Sequence, residues 1–284
     1  MPPQLLNPAR RRFLKRSAAS LATVGAGCLA YGFAVNDQVE LSRVEIKLAH
    51  LPAAFDGLTL AHLSDLHLGL YTSADYLRRC VALANAERPD LAVLTGDYTY
   101  LQRKYVEPVA DVLSELQPRV GTYAVLGNHD YYQGAGHLAR AFRRVRLNLL
   151  LDARERLEWR GDRLSLFGVD DLYYGDTNEA RLLRDVPPDE PRLLLAHNPD
   201  FIGRFVEKNL HVDLMMCGHT HGGQVRLPLV GAPHIDSMYG QRYARGLNRN
   251  RQIQIYTTRG LGMVGLPVRI ACPPEVVLYT LRQA

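Results

Sequence analysis

The segment Cys217-Gly218-His219-Thr220-His221-Gly222-Gly223-Gln224 follows the apolar run Val212-Asp213-Leu214-Met215-Met216. It places two histidines two positions apart among three glycines, where a buried strand is predicted to end. Metal binding explains such a pair, but two imidazoles do not hold an ion alone. Other parts of the chain must therefore supply further ligands.

Four earlier apolar runs also end in polar residues. Residues 58–63 lead into Ser64-Asp65-Leu66-His67, residues 91–94 into Thr95-Gly96-Asp97, residues 123–126 into Gly127-Asn128-His129-Asp130, and residues 193–196 into His197. Short apolar runs of this kind indicate buried strands. The sequence thus predicts five strands that each present acids, amides or imidazoles at their carboxyl ends.

Helical patterns lie between these strands. Ser73 is placed to cap a helix with Leu77, Val81 and Ala84 on one face, and further helices are predicted over 108–116, 136–144 and 201–208. Later strands are predicted over 164–169, 252–257 and 276–281. This order predicts an α/β fold, a four-layer αββα sandwich of two stacked mixed sheets with helices outside. Binding sites in such sheets lie beyond the carboxyl ends of the strands.

The composition is that of a globular protein, with 284 residues of which 47% are hydrophobic and 22% charged. The net charge of +5 lies entirely in residues 1–34, which carry Arg10, Arg11, Arg12, Lys15 and Arg16 and no acid. Because residues 35–284 are formally neutral, the charge argues against a nucleic-acid partner. Cys80, Cys217 and Cys272 show no paired spacing and are expected to be buried thiols.

The basic leader, residues 1–34, resembles a twin-arginine export signal. Arg10-Arg11-Arg12-Phe13-Leu14-Lys15 precedes an uncharged stretch over 17–36 that is rich in small residues. Gly32-Phe33-Ala34 offers a cleavage site, but the stretch also has about the 20 residues that span a bilayer. Two outcomes stay open: a cleaved signal, with a periplasmic product, or an uncleaved anchor in the inner membrane. The twin-arginine translocase is the expected partner.

The polar residues at the strand ends are ligands for borderline to hard metals such as Zn, Mn or Fe. They are Asp65, His67, Asp97, Asn128, His129, His197, His219 and His221. Even seven ligands from this set are too many for one tetrahedral ion, but they suit two ions roughly 3.5–4 Å apart. The sequence therefore predicts a binuclear centre.

The ordered set of motifs, over residues 65–221, resembles the calcineurin-like metallophosphoesterase superfamily. The tail, Thr258-Arg259-Gly260-Leu261-Gly262 with Leu266-Pro267-Val268-Arg269 and Pro273-Pro274-Glu275, is similar to an exported and membrane-associated bacterial branch, related to UDP-2,3-diacylglucosamine pyrophosphatases. The resemblance implies one metallophosphoesterase domain over 45–284. It assigns Asp65, His67 and His221 to the first of two divalent ions (Mn, Fe or Zn), and Asn128, His197 and His219 to the second. Asp97 would bridge them, with His129 beside the leaving oxygen.

The resemblance further implies hydrolysis of a phosphodiester or pyrophosphate by in-line attack of a metal-bridging hydroxide. The substrate would be a small phosphoester or a lipid-linked one, such as a cell-envelope diester or UDP-2,3-diacylglucosamine, and the leader makes membrane association an expectation. A phosphomonoesterase, a catalytically weak scaffold and a lipid-binding module stay open as alternatives. Tyr100 stands where many members have an aspartate that orients the catalytic histidine. His129 is therefore expected to rely on Asp130 or another acid, and Arg259 and His234 are candidates to line the site.

Overall fold

The computed structural model describes residues 36–284 and the isolated positions 12, 15, 16 and 27. The predicted signal or anchor over 1–34 therefore lies outside the described residues, apart from those four positions. Within the part of the chain that is described, no helix is both long and apolar enough to span a membrane.

Two six-stranded mixed sheets form the centre of the molecule. The strands are β1 (Glu40–Leu48), β2 (Thr59–Leu63), β3 (Leu91–Thr95), β4 (Gly121–Val125), β5 (Asn148–Leu149), β6 (Ala153–Trp159), β7 (Asp162–Gly168), β8 (Arg192–Leu195), β9 (Leu214–Cys217), β10 (Gly246–Asn250), β11 (Ile253–Thr257) and β12 (Glu275–Gln283). The first sheet has the order β1-β12-β2-β3-β4-β5, and the second has the order β10-β11-β9-β8-β7-β6.

Six α-helices are described, together with short 3-10 turns over Ala53–Phe55, Arg103–Tyr105 and His221–Gly223. The helices are α1 (Ala74–Ala86), α2 (Val106–Leu113), α3 (Asn128–Tyr132), α4 (Ala135–Arg144), α5 (Glu179–Leu182) and α6 (Phe201–Glu207). The predicted cap is confirmed, because the Ser73 hydroxyl accepts a hydrogen bond from the Tyr76 amide at 3.2 Å. That bond satisfies one of the free amides of the first turn of α1.

Alternate residues of each central strand pack on opposite sides of its sheet. Val93 of β3 and Leu195 of β8 belong to one apolar core between the two sheets. Ala92 and Leu94 face outward onto α1, α2 and α4, and Met215 of β9 faces α6 on the far side. The layers are therefore helix, sheet, sheet and helix, which confirms the predicted α/β sandwich.

The parallel strands of each sheet bring the polar segments to one edge. β2, β3 and β4 are parallel neighbours in the first sheet, as are β7, β8, β9 and β11 in the second. The amide of Gly218, after β9, donates to the carbonyl of His197, after β8, at 3.0 Å. The amide of Asp65, after β2, donates to Gly96, after β3, at 3.0 Å. The five predicted motif segments therefore meet at the carboxyl ends of the strands.

Candidate functional site

Asp97 follows β3 and lies between two groups of histidines. Its Oδ2 is 3.4 Å from Nε2 of His67 and 3.3 Å from Nε2 of His197. Its Oδ1 accepts a hydrogen bond from the main-chain amide of His129 at 2.9 Å. One oxygen of Asp97 thus faces both groups, while the other is held by the chain. This is the arrangement that a bridging carboxylate requires.

The first group consists of Asp65, His67 and His221. The two Nε2 atoms of His67 and His221 are 3.1 Å apart, and Nε2 of His221 is 3.5 Å from Oδ1 of Asp65. The same Asp65 oxygen accepts a hydrogen bond from the His219 amide at 2.9 Å. One ligand atom from each member lies within 4.8 Å of the other two, close enough for one cation to contact all three.

The second group consists of Asn128, His197 and His219. Nδ1 of His219 lies 3.1 Å from Nε2 of His197 and 3.1 Å from Oδ1 of Asn128. Nε2 of His197 is also 3.1 Å from that amide oxygen. Asp65, Asp97 and His197 form a further set whose ligand atoms lie within 4.8 Å of one another. The structure thus brings together all seven side chains that the sequence singles out as ligands.

These contacts fit divalent cations. Oxygen and nitrogen atoms lie 3.1–3.5 Å from one another in both groups, and a cation between them would bind several at once. The donors are imidazoles, carboxylates and one amide oxygen, which Mn, Fe and Zn accept. Asp65, His67, Asp97 and His197 are all almost completely buried. A buried carboxylate without a compensating positive charge is costly, so the donor set favours bound metal.

Burial sets the charge state of most of these imidazoles. It lowers the pKa of His67 to about 3 and that of His219 to about 4, so both are neutral at pH 7 and keep a lone pair. Burial alone would also lower the pKa of His197, but the adjacent Asp97 carboxylate raises it to about 10. Burial opposes ionisation of Asp97 as well, yet His197 and His67 hold its pKa well below the ordinary value. Both pKa shifts have the same physical cause, the attraction between the Asp97 carboxylate and the His197 ring.

The motif loops adopt unusual backbone conformations. Five of the seven candidate ligands have positive φ angles: Asp65 (51°), His67 (44°), Asp97 (57°), His219 (71°) and His221 (51°). The left-handed region costs an L-residue about 1–2 kcal/mol, although Asp, Asn and His visit it more often than other residues. Strain of this kind persists where the surrounding structure determines the conformation. The fold thus holds the ligands in place at a cost in stability.

Two glycines permit the close approach of these loops. A Cβ atom on Gly218 would overlap the carboxylate of Asp65 and the hydroxyl of Ser64. A Cβ atom on Gly127 would overlap Oδ1 of Asp97. Glycine is therefore required at both positions for the packing of one motif against another.

His129 does not depend on Asp130, so that expectation is wrong. The Asp130 carboxylate accepts hydrogen bonds from the main-chain amides of Asp97 at 2.8 Å, Tyr98 at 2.9 Å and Gly127 at 2.9 Å. No described carboxylate hydrogen-bonds the His129 ring, whose Nδ1 is buried without a partner. The ring instead lies between aromatic neighbours, with centroids 4.9 Å from His67, 5.4 Å from Tyr132 and 6.0 Å from Tyr100. Aromatic packing that includes Tyr100 therefore positions this imidazole.

A cleft of about 530 Å³ opens beside the two groups. Its polar wall includes Asp97, Asn128, His129, His219 and His221, and its other wall includes Val225, Ile235, Val264 and Leu266. His234 lines the cleft, as expected for that candidate. Arg259 does not: its guanidinium donates to Glu275 at 2.6 Å and to Glu40 at 2.9 Å.

Sequence reasoning missed two groups that contact the ligand histidines. The main-chain carbonyl of Thr95 lies 2.7 Å from Nδ1 of His197, and Oδ2 of Asp236 lies 3.6 Å from Nε2 of His219. A backbone carbonyl leaves no signal in a residue pattern. Asp236 lies in a segment without helix or strand periodicity, so only the folded structure shows that it approaches His219.

Residues 58–223 match the family model described as calcineurin-like phosphoesterase. The chain belongs to this family. It is 34% identical to the phosphodiesterase YaeI of Escherichia coli, over 96% of this chain and 99% of that one. It is 31% identical to an uncharacterized metallophosphoesterase of Bacillus subtilis, YkuE, over 96% of this chain and 98% of that one.

Among solved structures, the sulfate thiohydrolase SoxB of Thermus thermophilus superposes with a TM-score of 0.51 at 13% identity, over 82% of this chain and 57% of that one. This similarity concerns the fold alone. Family membership and the buried ligand groups together identify the chain as a metal-dependent phosphoesterase. In this calcineurin-like phosphoesterase, the two ligand groups lie where the five motif segments meet.

Proposed function

We propose that the chain is a binuclear phosphodiesterase in which the residues around Asp97 hold two divalent cations. Asp65, His67 and His221 would bind the first ion, Asn128, His197 and His219 the second, and Asp97 both. The observation that supports this assignment is the position of Asp97 Oδ2, 3.4 Å from His67 and 3.3 Å from His197. Two bound divalent ions lower the pKa of water and offset phosphoryl charge.

The side chains of the cleft contribute in distinct ways. Neutral His67 and His219 keep their lone pairs available at pH 7 because burial opposes their protonation. His129 lines the cleft next to Asn128 and is placed to donate a hydrogen bond or a proton to the leaving oxygen. The main-chain amide of His129 donates a hydrogen bond to Oδ1 of Asp97, which links the position of His129 to that of the proposed bridging residue.

The lining of the cleft favours a diester monoanion over a monoester dianion, whereas the pyrophosphate, which also carries two charges, is proposed from the family resemblance alone. No lysine or arginine lines the cleft within the described residues, so side-chain cations are not available for the second charge of a monoester dianion. The E. coli relative is named a phosphodiesterase, which supports the same choice. The apolar wall of Val225, Ile235, Val264 and Leu266 favours a lipid-linked substrate, such as a cell-envelope diester or UDP-2,3-diacylglucosamine.

The leader supports a proposal about location. Arg10-Arg11-Arg12-Phe13-Leu14-Lys15, followed by uncharged residues 17–35, would direct export by the twin-arginine route to the periplasm or the inner membrane. Fractionation tests this. A periplasmic product whose N-terminus lies near Val35 would identify a cleaved signal, and full-length protein in the membrane fraction would identify an anchor.

Metal analysis and a substrate panel test the activity. Purified protein is assayed for Mn, Fe and Zn, then for turnover of bis-p-nitrophenyl phosphate, p-nitrophenyl phosphate and UDP-2,3-diacylglucosamine. We expect two metal ions per chain and preference for the diester or the pyrophosphate over the monoester. Hydrolysis of the monoester alone would contradict the proposal. Absence of any hydrolysis by fully metallated protein would leave only a scaffold role.

A further inference from the structure

A cluster of exposed apolar side chains borders the cleft. Leu229 is fully exposed, Leu266 is 64% exposed, Val230 is 62% exposed and Leu227 is 45% exposed. We call these four residues the apolar rim. Single exposed apolar residues are common on protein surfaces, whereas a group beside a cleft marks an interaction site.

The apolar rim is attached directly to the motif loop that carries His219 and His221. The Gln224 side chain, three positions after His221, donates to the carbonyls of Val264 at 3.0 Å and Leu266 at 2.8 Å. Leu227 and Gly231 pair across a tight turn that projects Leu229 and Val230. Leu266 belongs to the apolar wall of the cleft, and the turn over 227–231 follows two residues after Val225, another residue of that wall.

The segment that contains the rim is positively charged. Residues 218–272 contain seven arginines and a single acid, Asp236. Within the described residues, exposed Arg242 and Arg245 make no ion pair with a carboxylate, whereas half-buried Arg226 donates to the carbonyl of Gly222 at 2.9 Å and to the Gln241 side chain at 3.2 Å. The Thr220 hydroxyl donates to the carbonyl of Ala244 at 2.7 Å, which keeps this segment beside the site. The face around the cleft therefore complements an anionic partner.

The basic leader joins the fold at the same place. The Asn36 amide group donates to the carbonyl of Pro267 at 2.8 Å, and its oxygen accepts from the amide of Arg269 at 2.8 Å. Residues 1–35 therefore connect to the fold beside Leu266, a member of the rim. They carry five basic residues and no acid, and residues 17–35 are uncharged. A leader of this composition favours a lipid surface near its point of attachment.

We propose that the apolar rim docks the mouth of the cleft onto an anionic lipid bilayer. The rim side chains enter the boundary between headgroups and acyl chains, and exposed Arg242 and Arg245 contact lipid phosphates. The inference deepens the proposed function, on which it rests, because a lipid-linked diester would then reach the ligand groups without leaving the bilayer.

Tryptophan fluorescence tests the orientation on full-length protein. Trp159 is the single tryptophan of the chain and lies opposite Asp162, at the start of β7, away from the cleft. The variant Trp159→Phe/Leu229→Trp moves the only indole to the rim. Both proteins are bound to phosphatidylglycerol vesicles, with binding measured by flotation, and titrated with brominated lipid. An indole about 5–10 Å below the surface is expected to lose roughly half of its fluorescence. Trp159 in the unaltered protein is expected to lose none.

Three results would overturn the proposal: no flotation with the vesicles, no quenching of the rim indole in floated protein, or equal quenching of the two indoles. Concentration-dependent self-association that shields the rim indole without vesicles would instead assign the rim to a second copy of the chain.

Leu229→Asp/Val230→Asp is expected to abolish quenching of an indole placed at Leu227, whereas Leu247→Asp, on β10, is expected to leave it unchanged. Turnover of soluble bis-p-nitrophenyl phosphate by the same preparations reports on the proposed function separately. A failure of docking is thus distinguishable from a failure of catalysis.

Discussion

The Nδ1–H of His197 donates to the main-chain carbonyl of Thr95 across 2.7 Å. A carbonyl only accepts, so this bond fixes a proton on Nδ1 and turns Nε2 towards Asn128 and Asp97. Histidines that bind metals commonly use their other nitrogen in this way. Thr95 ends β3 of the first sheet, and His197 follows β8 of the second. One sheet therefore orients a ligand that the other sheet supplies.

Replacement of the bridging residue should abolish most of the activity. Asp97→Asn removes the negative charge between His67 and His197, and we expect turnover to fall by about 10³-fold or more, with fewer than two metal ions per chain. Diester hydrolysis and metal analysis of the same sample measure both effects. The control is Asp111→Asn, because Asp111 on α2 forms an exposed ion pair with Arg144 on α4. Full turnover by Asp97→Asn would rule out the bridging role.

A single methyl group should disturb the first ligand group. Gly218→Ala places a Cβ atom against the Asp65 carboxylate, and we expect a loss of about 1–3 kcal/mol in the free energy of unfolding together with weaker metal binding. Chemical denaturation and metal titration measure these changes. Gly136→Ala, at an exposed position of α4 where the nearest atom would be 3.7 Å from the new Cβ, should be neutral or stabilising. Equal behaviour of the two variants would contradict the close packing.

The Asp130 side chain should stabilise the folded state. Its two oxygens accept three main-chain hydrogen bonds from the second and third motif loops. Asp130→Asn turns an amide group towards buried N–H donors, so we expect a loss of about 2–4 kcal/mol in unfolding free energy. Urea denaturation of metal-loaded protein measures it. Asp75→Asn, exposed on α1, is the matched variant. A loss below about 0.5 kcal/mol would show that the carboxylate is dispensable.

His62 should make folding stability depend on pH. It is buried with Tyr279 and Thr95 at 2.8 Å and 2.7 Å, and burial lowers its pKa to about 3. The unfolded chain has a histidine pKa of about 6.5 and binds the proton first, so unfolding free energy falls as pH drops from about 6.5 towards 3. The slope from this residue approaches about 1.4 kcal/mol per pH unit.

Urea denaturation between pH 4 and pH 7 tests the role of His62. His62→Gln should reduce the slope of unfolding free energy against pH, and exposed His50→Gln should not. An unchanged slope in His62→Gln would assign the acid sensitivity to other residues.

Metal removal should loosen the two sheets. Asp65, Asp97 and Asn128 follow strands of the first sheet, whereas His197, His219 and His221 follow strands of the second. Cations that bind the folded state alone would raise its Tm by roughly 10 °C at saturating concentration. Calorimetry before and after chelation, then after readdition of Mn, measures this shift. A Tm that is insensitive to chelation would contradict binding between the sheets.

The sequence predicted the central strands because they are buried on both faces and read as continuous apolar runs. It did not predict the four edge strands β1, β5, β6 and β10, which are short or rich in polar residues, as in Glu45-Ile46-Lys47 of β1. Edge strands expose one face to water, so their apolar signal is weak. β1 also begins at Glu40, ahead of the predicted domain start at residue 45.

The ligand set was readable because each member sits within a short motif at a strand end. The support of His129 was not, because Tyr100 packs beside its ring while Asp130 accepts hydrogen bonds from main-chain amides instead. A carboxylate five residues after a strand end, as Asp130 is after Val125, is equally able to accept from an imidazole or from backbone amides. Only the path of the loops after β3 and β4 decides, and that path includes the left-handed turn at Asp97.

The left-handed turns at the ligand positions also limit how the centre can be redesigned. A ligand position with positive φ accepts aspartate, asparagine, histidine or glycine far more readily than glutamate, cysteine or a β-branched residue. Replacement of these ligands by cysteine would thus be unfavourable at five positions because of the backbone conformation alone, whatever metal the thiolates bound. Asn128 and His197, which lie outside the left-handed region, are the places where a protein engineer would begin.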